Sequence, residues 1–449
     1  MTEKFDVIVI GTGPAGSSVA ISCAQEGLRT AVIDERAYGG TCPLRGCNPK
    51  KVLASAATMI DETARMQGKG IAKPATINWQ DLMEFKRSFT EPVPEAKEKS
   101  FEKAGIERFH GQAQFLDEKT LKVKEKVLEG EKIVIATGAR PAPLPVDGAD
   151  HLTYSEDFLE LDQLPKRVIF VGGGYISFEF AHIAARAGSD VHIVQRGEQP
   201  LKSFDSDMVD LLQKKSKEIG ISIHLNSSVN AIEKNDKEYI VKASKGDEEV
   251  SFHGDLVVHG GGRVPQINDL KLDQGGVNHS KTGITVNTYL QSVSNEHVYA
   301  VGDVADTNGS PLTPVGEMEG QIVSQNIVSD AKQEANYNGI PSVVFSEPKL
   351  AKAGLTEKEA REANYDAKVN HQDISDWFTY SHTNDAPAAV KIIIDKKTDL
   401  ILGAHLIGGK SDELINYFAM AIQMSIPVDK LKNVVYAFPT AVSDIPSML

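Results

Sequence analysis

The chain reads as an α/β protein with two parallel βαβ units in series and a smaller α+β segment after them. The first observation is an apolar run, Phe5-Asp6-Val7-Ile8-Val9-Ile10, that leads into Gly11-Thr12-Gly13-Pro14-Ala15-Gly16. The second is a repeat of that arrangement, Arg167-Val168-Ile169-Phe170-Val171 before Gly172-Gly173-Gly174-Tyr175-Ile176-Ser177. The third is length: 449 residues are too many for one ordinary domain and suggest about three. Short apolar runs bounded by glycine suit buried parallel strands.

In the first unit a helical pattern follows the glycines through Val19, Ala20, Cys23 and Ala24. Glycines there permit a tight turn and let backbone amides approach a pyrophosphate at the helix N-terminus. Asp34, at the end of the next strand Thr30-Ala31-Val32-Ile33, is an acid suited to a ribose hydroxyl. The unit is thus expected to be a Rossmann-like dinucleotide-binding domain. Cys23 lies on the helix face that packs against the sheet and is expected in the core.

Directly after this unit comes Gly39-Gly40-Thr41-Cys42-Pro43-Leu44-Arg45-Gly46-Cys47-Asn48-Pro49-Lys50. An ideal helix holds residues five apart at ~8–9 Å between Cα atoms, whereas a disulfide needs roughly 4.4–6.8 Å. Pairing would require the backbone to leave the ideal helix, and Pro43, Gly46 and Pro49 make that easy. Beside a redox cofactor site the two cysteines read as a redox-active pair. Two buried thiols, or half of a metal site, are the plainer alternatives. With Cys23 the only other cysteine, a four-sulfur site is excluded and no metal is expected.

In the second unit a helix runs through Glu179, Phe180 and Ile183, and the strand Asp190-Val191-His192-Ile193-Val194 closes the pattern. No acid ends that strand: Gln195 and Arg196 stand there, with Lys202 a little further on. Loss of the ribose acid and gain of cations favour a 2′-phosphate, hence NADPH rather than NADH. An ordinary solvated charge is the competing account of Arg196. Two dinucleotide sites imply two cofactors between which hydride can pass.

Composition bounds the partners. A net charge of −14 argues against nucleic acid, which wants a basic face. No apolar run reaches membrane-span length, and the first strand begins at once, so neither a membrane anchor nor a leader is expected. Three cysteines and no export signal point to the cytoplasm, where a disulfide is more often catalytic than structural. A helical excursion is expected over 50–100, broken at Thr90-Glu91-Pro92-Val93-Pro94, and the Pro-rich 140–145 marks the exit from the first unit. From about 340, strands such as Val390–Asp395 alternate with a helix near 411–424.

Together these motifs resemble the glutathione reductase and dihydrolipoamide dehydrogenase family, the flavin-dependent pyridine nucleotide–disulfide oxidoreductases, over essentially the whole length. The resemblance also includes Ala136-Thr137-Gly138-Ala139-Arg140-Pro141, Tyr299-Ala300-Val301-Gly302-Asp303-Val304, Leu312-Thr313-Pro314-Val315 and Val344-Phe345-Ser346-Glu347-Pro348. It implies an FAD domain over 1–146, an NAD(P)H domain over 147–265, a return to the FAD domain over 266–338 and a dimerisation domain over 339–449. A homodimer follows. The cofactors are FAD and NADPH, and the acceptor is a disulfide or another small molecule.

Carried over residue by residue, the resemblance makes Cys42 and Cys47 the redox-active disulfide. Cys47 would face the flavin and Cys42 would exchange with substrate. Lys50 and Glu179 match an ion pair beside flavin N5, and Tyr175 an aromatic lid over the ring. Cofactor contacts are expected from Gly11, Gly13, Pro14, Ala15, Gly16, Asp34, Glu35, Gly40, Thr41, Lys50, Thr137 and Gly138. Further contacts are expected from Gly172, Gly174, Tyr175, Ile176, Arg196, Lys202, Gly262, Arg263, Gly302, Asp303, Leu312 and Thr313.

The sequence departs from the family near its C-terminus. Relatives carry His-Pro-Thr with a Glu three residues later; here Phe438-Pro439-Thr440 is followed by Ser443. Phenylalanine cannot carry a proton, and general acid–base help is worth roughly 10²–10⁴ in rate. Tyr436 and Asp444 are the nearby substitutes. Ile21-Ser22 stands where glutathione reductases place an arginine, which disfavours glutathione, and no C-terminal cysteine pair is present. The main reading is NADPH-driven reduction of a disulfide. The alternative is reduction of a metal ion, quinone or oxidant, and a redox sensor is the third possibility.

Overall fold

The strand expected over Phe5–Ile10 runs from Thr2 to Ile10 and lies near the middle of a seven-stranded sheet. Its parallel neighbours are Thr30–Asp34 and Lys126–Ile135, with Val9 opposite both Val32 and Val134. Glu107–His110 and Val298–Ala300 extend the parallel part, while Thr120–Val123 and Ala113–Phe115 add an antiparallel edge. Alternate residues feed two cores. Ile8, Ile33 and Ile133 enter one, and Val7, Val9, Val32 and Val134 the other, as in a sheet covered on both faces. Cys23 of helix Pro14–Gln25 is fully buried in the second core.

This computed structural model describes residues 1–329 and 332–449. They form two compact units: Met1–Pro49, Lys86–Ala142 and Arg263–Tyr337 in one, Lys50–Phe85, Pro143–Gly262 and Asn338–Leu449 in the other. The sheet above belongs to the first.

The second unit repeats the parallel arrangement with Ile221–His224, Asp190–Val194, Arg167–Val171 and Leu256–His259, in that order. On one face Val168, Phe170, Val191 and Ile193 pack with Phe178 and Ile183 of helix Tyr175–Arg186 and with Met208 and Leu212 of helix Ser206–Glu218. On the other, Ile169, Val171 and Val257 meet Val241 and Ala243 of a three-stranded antiparallel sheet. The C-terminal strands form a five-stranded antiparallel sheet with Leu400–Gly408 at its centre. Helix Ser411–Gln423 packs on one of its faces through Leu414, Ile415 and Phe418.

The expected helical excursion is three helices, Cys47–Arg65, Trp79–Thr90 and Val93–Lys103. The break at Thr90–Pro94 occurs as read. An additional interruption over 66–78 departs from the expected pattern, although Gly68, Gly70 and Pro74 mark it in the sequence. No helix of the described residues is long and apolar enough to cross a membrane.

Candidate functional site

Both glycine turns are built the same way. Gly11 has φ +105° and Gly172 φ +108°, values open to glycine. A Cβ on Gly11 would stand 2.3 Å from the Ala136 carbonyl oxygen, and one on Gly172 2.4 Å from that of Gly260. Each turn is thus pressed against the end of a neighbouring strand, and the helix that follows starts at Pro14 or Tyr175.

The residue closing the second strand of each unit clasps that turn. Asp34 Oδ2 accepts from the Thr12 amide at 2.9 Å and the Thr12 hydroxyl at 2.6 Å, and its other oxygen accepts from the Arg36 amide. Gln195 Oε1 accepts from the Gly173 amide at 2.9 Å. The acid read as a ribose ligand is therefore also a brace for its own loop. Gln195 does the same bracing without charge.

Helix Thr41–Arg45 stops at Gly46 (φ −144°, ψ −110°), and helix Cys47–Arg65 begins immediately after. The break falls between the two cysteines, where the helix had to yield for the sulfurs to meet. Both are free thiols, close enough for each to act on the other's ionisation. The neighbouring Cys47, together with burial, pushes the Cys42 thiol up. Cys47 Sγ lies 3.6 Å from Thr313 Oγ1, the first residue of helix Thr313–Val328. A Cβ on Gly40, at φ +73°, would stand 2.4 Å from Gly13 Cα, so the cysteine segment starts against the first glycine turn. Thr137 donates to the Gln266 carbonyl at 2.7 Å, the Gln266 amide to Gly138, and Arg263 to the Ala139 carbonyl, stitching the exit strand to its return. Glu35 is engaged by Gln266 at 2.9 Å.

Asp303 is largely desolvated, which raises its carboxyl above the usual range, and its hydrogen bond is to its own peptide. Glu319 holds the loop around it, accepting from the Gly302 amide at 2.6 Å and the Tyr337 hydroxyl at 2.7 Å. Burial raises Glu319 as well.

In the second unit Lys50 Nζ meets Glu179 Oε1 at 2.7 Å, with side-chain exposures of 12% and 5%. The same oxygen accepts from the Phe345 amide at 2.9 Å. The Phe345 ring lies beneath both Lys50 and Lys51, 4.1 and 3.8 Å from its centroid. Tyr175 opens its helix with half its surface exposed, Ile176 is partly buried behind it, and Gly174 caps the helix. Arg196 and Lys202 are exposed and hold no ion pair among the described residues; Gly262, φ +108°, has open space where a Cβ would go.

Phe438 is 84% exposed. Of its proposed substitutes, the Tyr436 hydroxyl donates to the Leu431 carbonyl at 3.1 Å and is raised by burial, while Asp444 accepts from the Thr379 hydroxyl. Ser443 and Thr440 cap one another.

A family model for pyridine nucleotide-disulphide oxidoreductases matches residues 5–320, and one for that family's dimerisation domain matches residues 340–448. The chain belongs to this family. Among relatives of the oxidoreductase, a glutathione reductase of Nostoc sp. is 31% identical over all of both chains. A dihydrolipoyl dehydrogenase of Haloferax volcanii is 29% identical over 97% of this chain and 93% of that one. In structure it is similar to the HOCl-induced flavoprotein disulfide reductase RclA of Escherichia coli. The TM-score is 0.88 and the identity 26%, covering 98% of this chain and 98% of the other. The oxidoreductase is an FAD-dependent enzyme, driven by a pyridine nucleotide, of the disulfide reductase class.

The residues fit those cofactors. A desolvated carboxylate at Asp303, facing the Arg263 charge and its own peptide, has acceptor capacity suited to a hydroxyl-bearing chain, and Gly138 has open space where a Cβ would go, which admits close approach to its backbone. Sequence reading missed Glu319, Phe345 and the bracing role of Gln195. A glutamate six residues into a helix gives no sign of what it will bond; its partners Thr307, Gly302 and Tyr337 lie 12, 17 and 18 residues away.

Proposed function

We propose that this oxidoreductase takes hydride from NADPH and delivers the electron pair, by way of FAD, to the Cys42–Cys47 disulfide and then to an external disulfide. The net reaction is R–S–S–R + NADPH + H⁺ → 2 RSH + NADP⁺. The observation that carries it is the pair itself: two free thiols on either side of a helix break at Gly46, with Cys47 Sγ 3.6 Å from Thr313 Oγ1 at the N-terminus of a sixteen-residue helix. A helix N-terminus stabilises a nearby anion, so Cys47 is suited to be the thiolate and Cys42 to keep its proton. When bound, FAD supplies the step between a two-electron hydride donor and a sulfur pair. Cys42 then attacks the acceptor disulfide, releasing one thiol, and Cys47 displaces the second from the mixed disulfide. Lys50, held by Glu179 and placed over the Phe345 ring, would supply a fixed positive charge beside the bound cofactor.

NADPH is favoured because Gln195 is neutral and committed to its loop, leaving the exposed cations Arg196 and Lys202 to meet a 2′-phosphate. A reducing compartment, the cytoplasm, suits a pair that must cycle. Anaerobic titration with NADPH tests the route: the enzyme should take up about two electron pairs per chain, and Cys42→Ser about one. Equal uptake by both would remove the cysteines from the path.

A second reading has one observation in its favour. Phe438 offers no proton to a leaving thiolate, and Tyr436 and Asp444 are already engaged. An acceptor that releases no thiolate, such as a metal ion, quinone or oxidant, does not need that proton. Acceptors of both kinds assayed with NADPH, with Cys42→Ser beside the native enzyme, separate the readings.

A further inference from the structure

The segment from Arg196 to Asp205 is fixed at two places in the second unit. At the nucleotide end, the Leu201 amide donates to the Gly173 carbonyl at 2.9 Å, and the Asn226 amide donates to Gly197 at 3.1 Å. At the other end, the segment meets the five-stranded C-terminal sheet. Four titratable residues stand in one cross-strand row there: Lys352 opposite His405, His405 opposite Lys391, and Lys391 opposite His371. Opposed residues share a face. The apolar residues two positions away on that face, Leu350, Ala389 and Ile407, join the core that contains Met208 and Leu212 of helix Ser206–Glu218.

The two lysines of the row, facing a helix N-terminus, would be repelled by the helix dipole. Here two acids reverse the sign. Asp205 is the N-cap and takes Lys391 Nζ on both oxygens, at 2.8 and 2.9 Å; Asp207 takes it at 2.6 Å. Lys391 and Asp205 are both buried. His371 stands 3.6 Å from Asp207, and Lys352 donates to the Ser203 carbonyl, one residue after Lys202. Buried His405 separates the two lysines and bonds the Leu355 carbonyl through Nε2.

We propose that Lys352 and Lys391 are positioning residues for the pyridine nucleotide. From the C-terminal sheet they hold the 196–205 segment in the shape that presents Arg196 and Lys202 to the 2′-phosphate. The proposal rests on the NADPH reading above. Neither lysine touches the nucleotide; each acts through the backbone or N-cap of the segment that does.

Lys352→Met and Lys391→Met should each raise KM for NADPH roughly tenfold, the worth of one lost charged hydrogen bond, with kcat at saturation within about twofold. Isothermal titration of the oxidised holoenzyme with 2′,5′-ADP should show the same loss of affinity, and Lys352→Arg should restore it. Lys396→Met, at an exposed lysine in the turn after strand Ala389–Asp395, should change nothing. Lys391→Met leaves two acids without their cation and is at risk of not folding; Lys352, partly exposed, then carries the test alone. Unchanged KM and 2′,5′-ADP affinity in folded Lys352→Met would overturn the proposal, as would a fall in kcat at constant KM. If the native enzyme ignores 2′,5′-ADP and prefers NADH, the 2′-phosphate reading fails by itself. The anchor is then judged by KM for NADH in the same variants.

Discussion

Phe438 is an apolar ring left almost wholly in solvent, directly before Pro439 and Thr440. Nothing in its own domain buries it, so its replacement by a proton carrier should leave the fold intact. Phe438→His is expected to raise turnover of a disulfide acceptor, by as much as about 10²–10⁴ if protonation of the leaving thiolate limits the rate. The gain should fall away as pH rises past ~6.5, where an unperturbed imidazole loses its proton. Reduction of a quinone or metal ion should not change. Steady-state assays of both acceptor types across pH decide it; a variant that still takes electrons from NADPH but gains nothing on any disulfide would sink the missing-acid account.

Local pattern recovered the elements well because their causes are local. Arg167–Val171 and Asp190–Val194 are strands over the very residues whose apolar content marked them, and the helix break between the cysteines falls at Gly46. Partners distant in sequence left weaker traces. Lys50 and Glu179, 129 residues apart, were paired only through the family resemblance, and the Phe345 amide on Glu179, 166 residues away, not at all. Backbone donors carry no sequence signature. Arg167 shows the same limit within a strand pattern: it heads its strand yet bonds Asp255 at 2.6 Å and Glu238 at 2.8 Å, residues just outside the neighbouring strands. Its guanidinium holds the Asp255 carboxyl below the usual carboxylate range; Glu238 is lowered first by His253, then by Arg167. Because these folded carboxyls ionise below their unfolded values of ~3.9 and ~4.3, the pairs stabilise above that range. The contribution is lost as pH falls through the folded values. Arg167→Met should therefore be less stable than the native chain in urea at pH 6, with the gap narrowing below about pH 4. A gap independent of pH would assign the loss to packing rather than charge.

Helix Ser411–Gln423 carries apolar residues on its outer side as well as on its buried one. Leu414, Ile415, Phe418 and Ile422 fill the core against the sheet, while Tyr417, Met420 and, just past its end, Met424 form an outward stripe. Val434 and Val435 add to the exposed apolar surface of the same domain. An exposed apolar stripe of this kind, rimmed by Glu413, Asn416 and Gln423, marks a contact surface. The dimerisation-domain match spans it, and a two-fold dimer sets one patch against its own copy. In that geometry a charge introduced on the stripe faces its like across the axis, so repulsion adds to desolvation. Met420→Glu combined with Met424→Glu should convert the enzyme to monomers in sedimentation velocity. The circular dichroism should be unchanged, because neither side chain contributes to the core. Addition of salt should recover dimer only in part, since screening weakens the repulsion but leaves the desolvation cost. A double variant that stays dimeric at native affinity would place the contact surface away from this stripe.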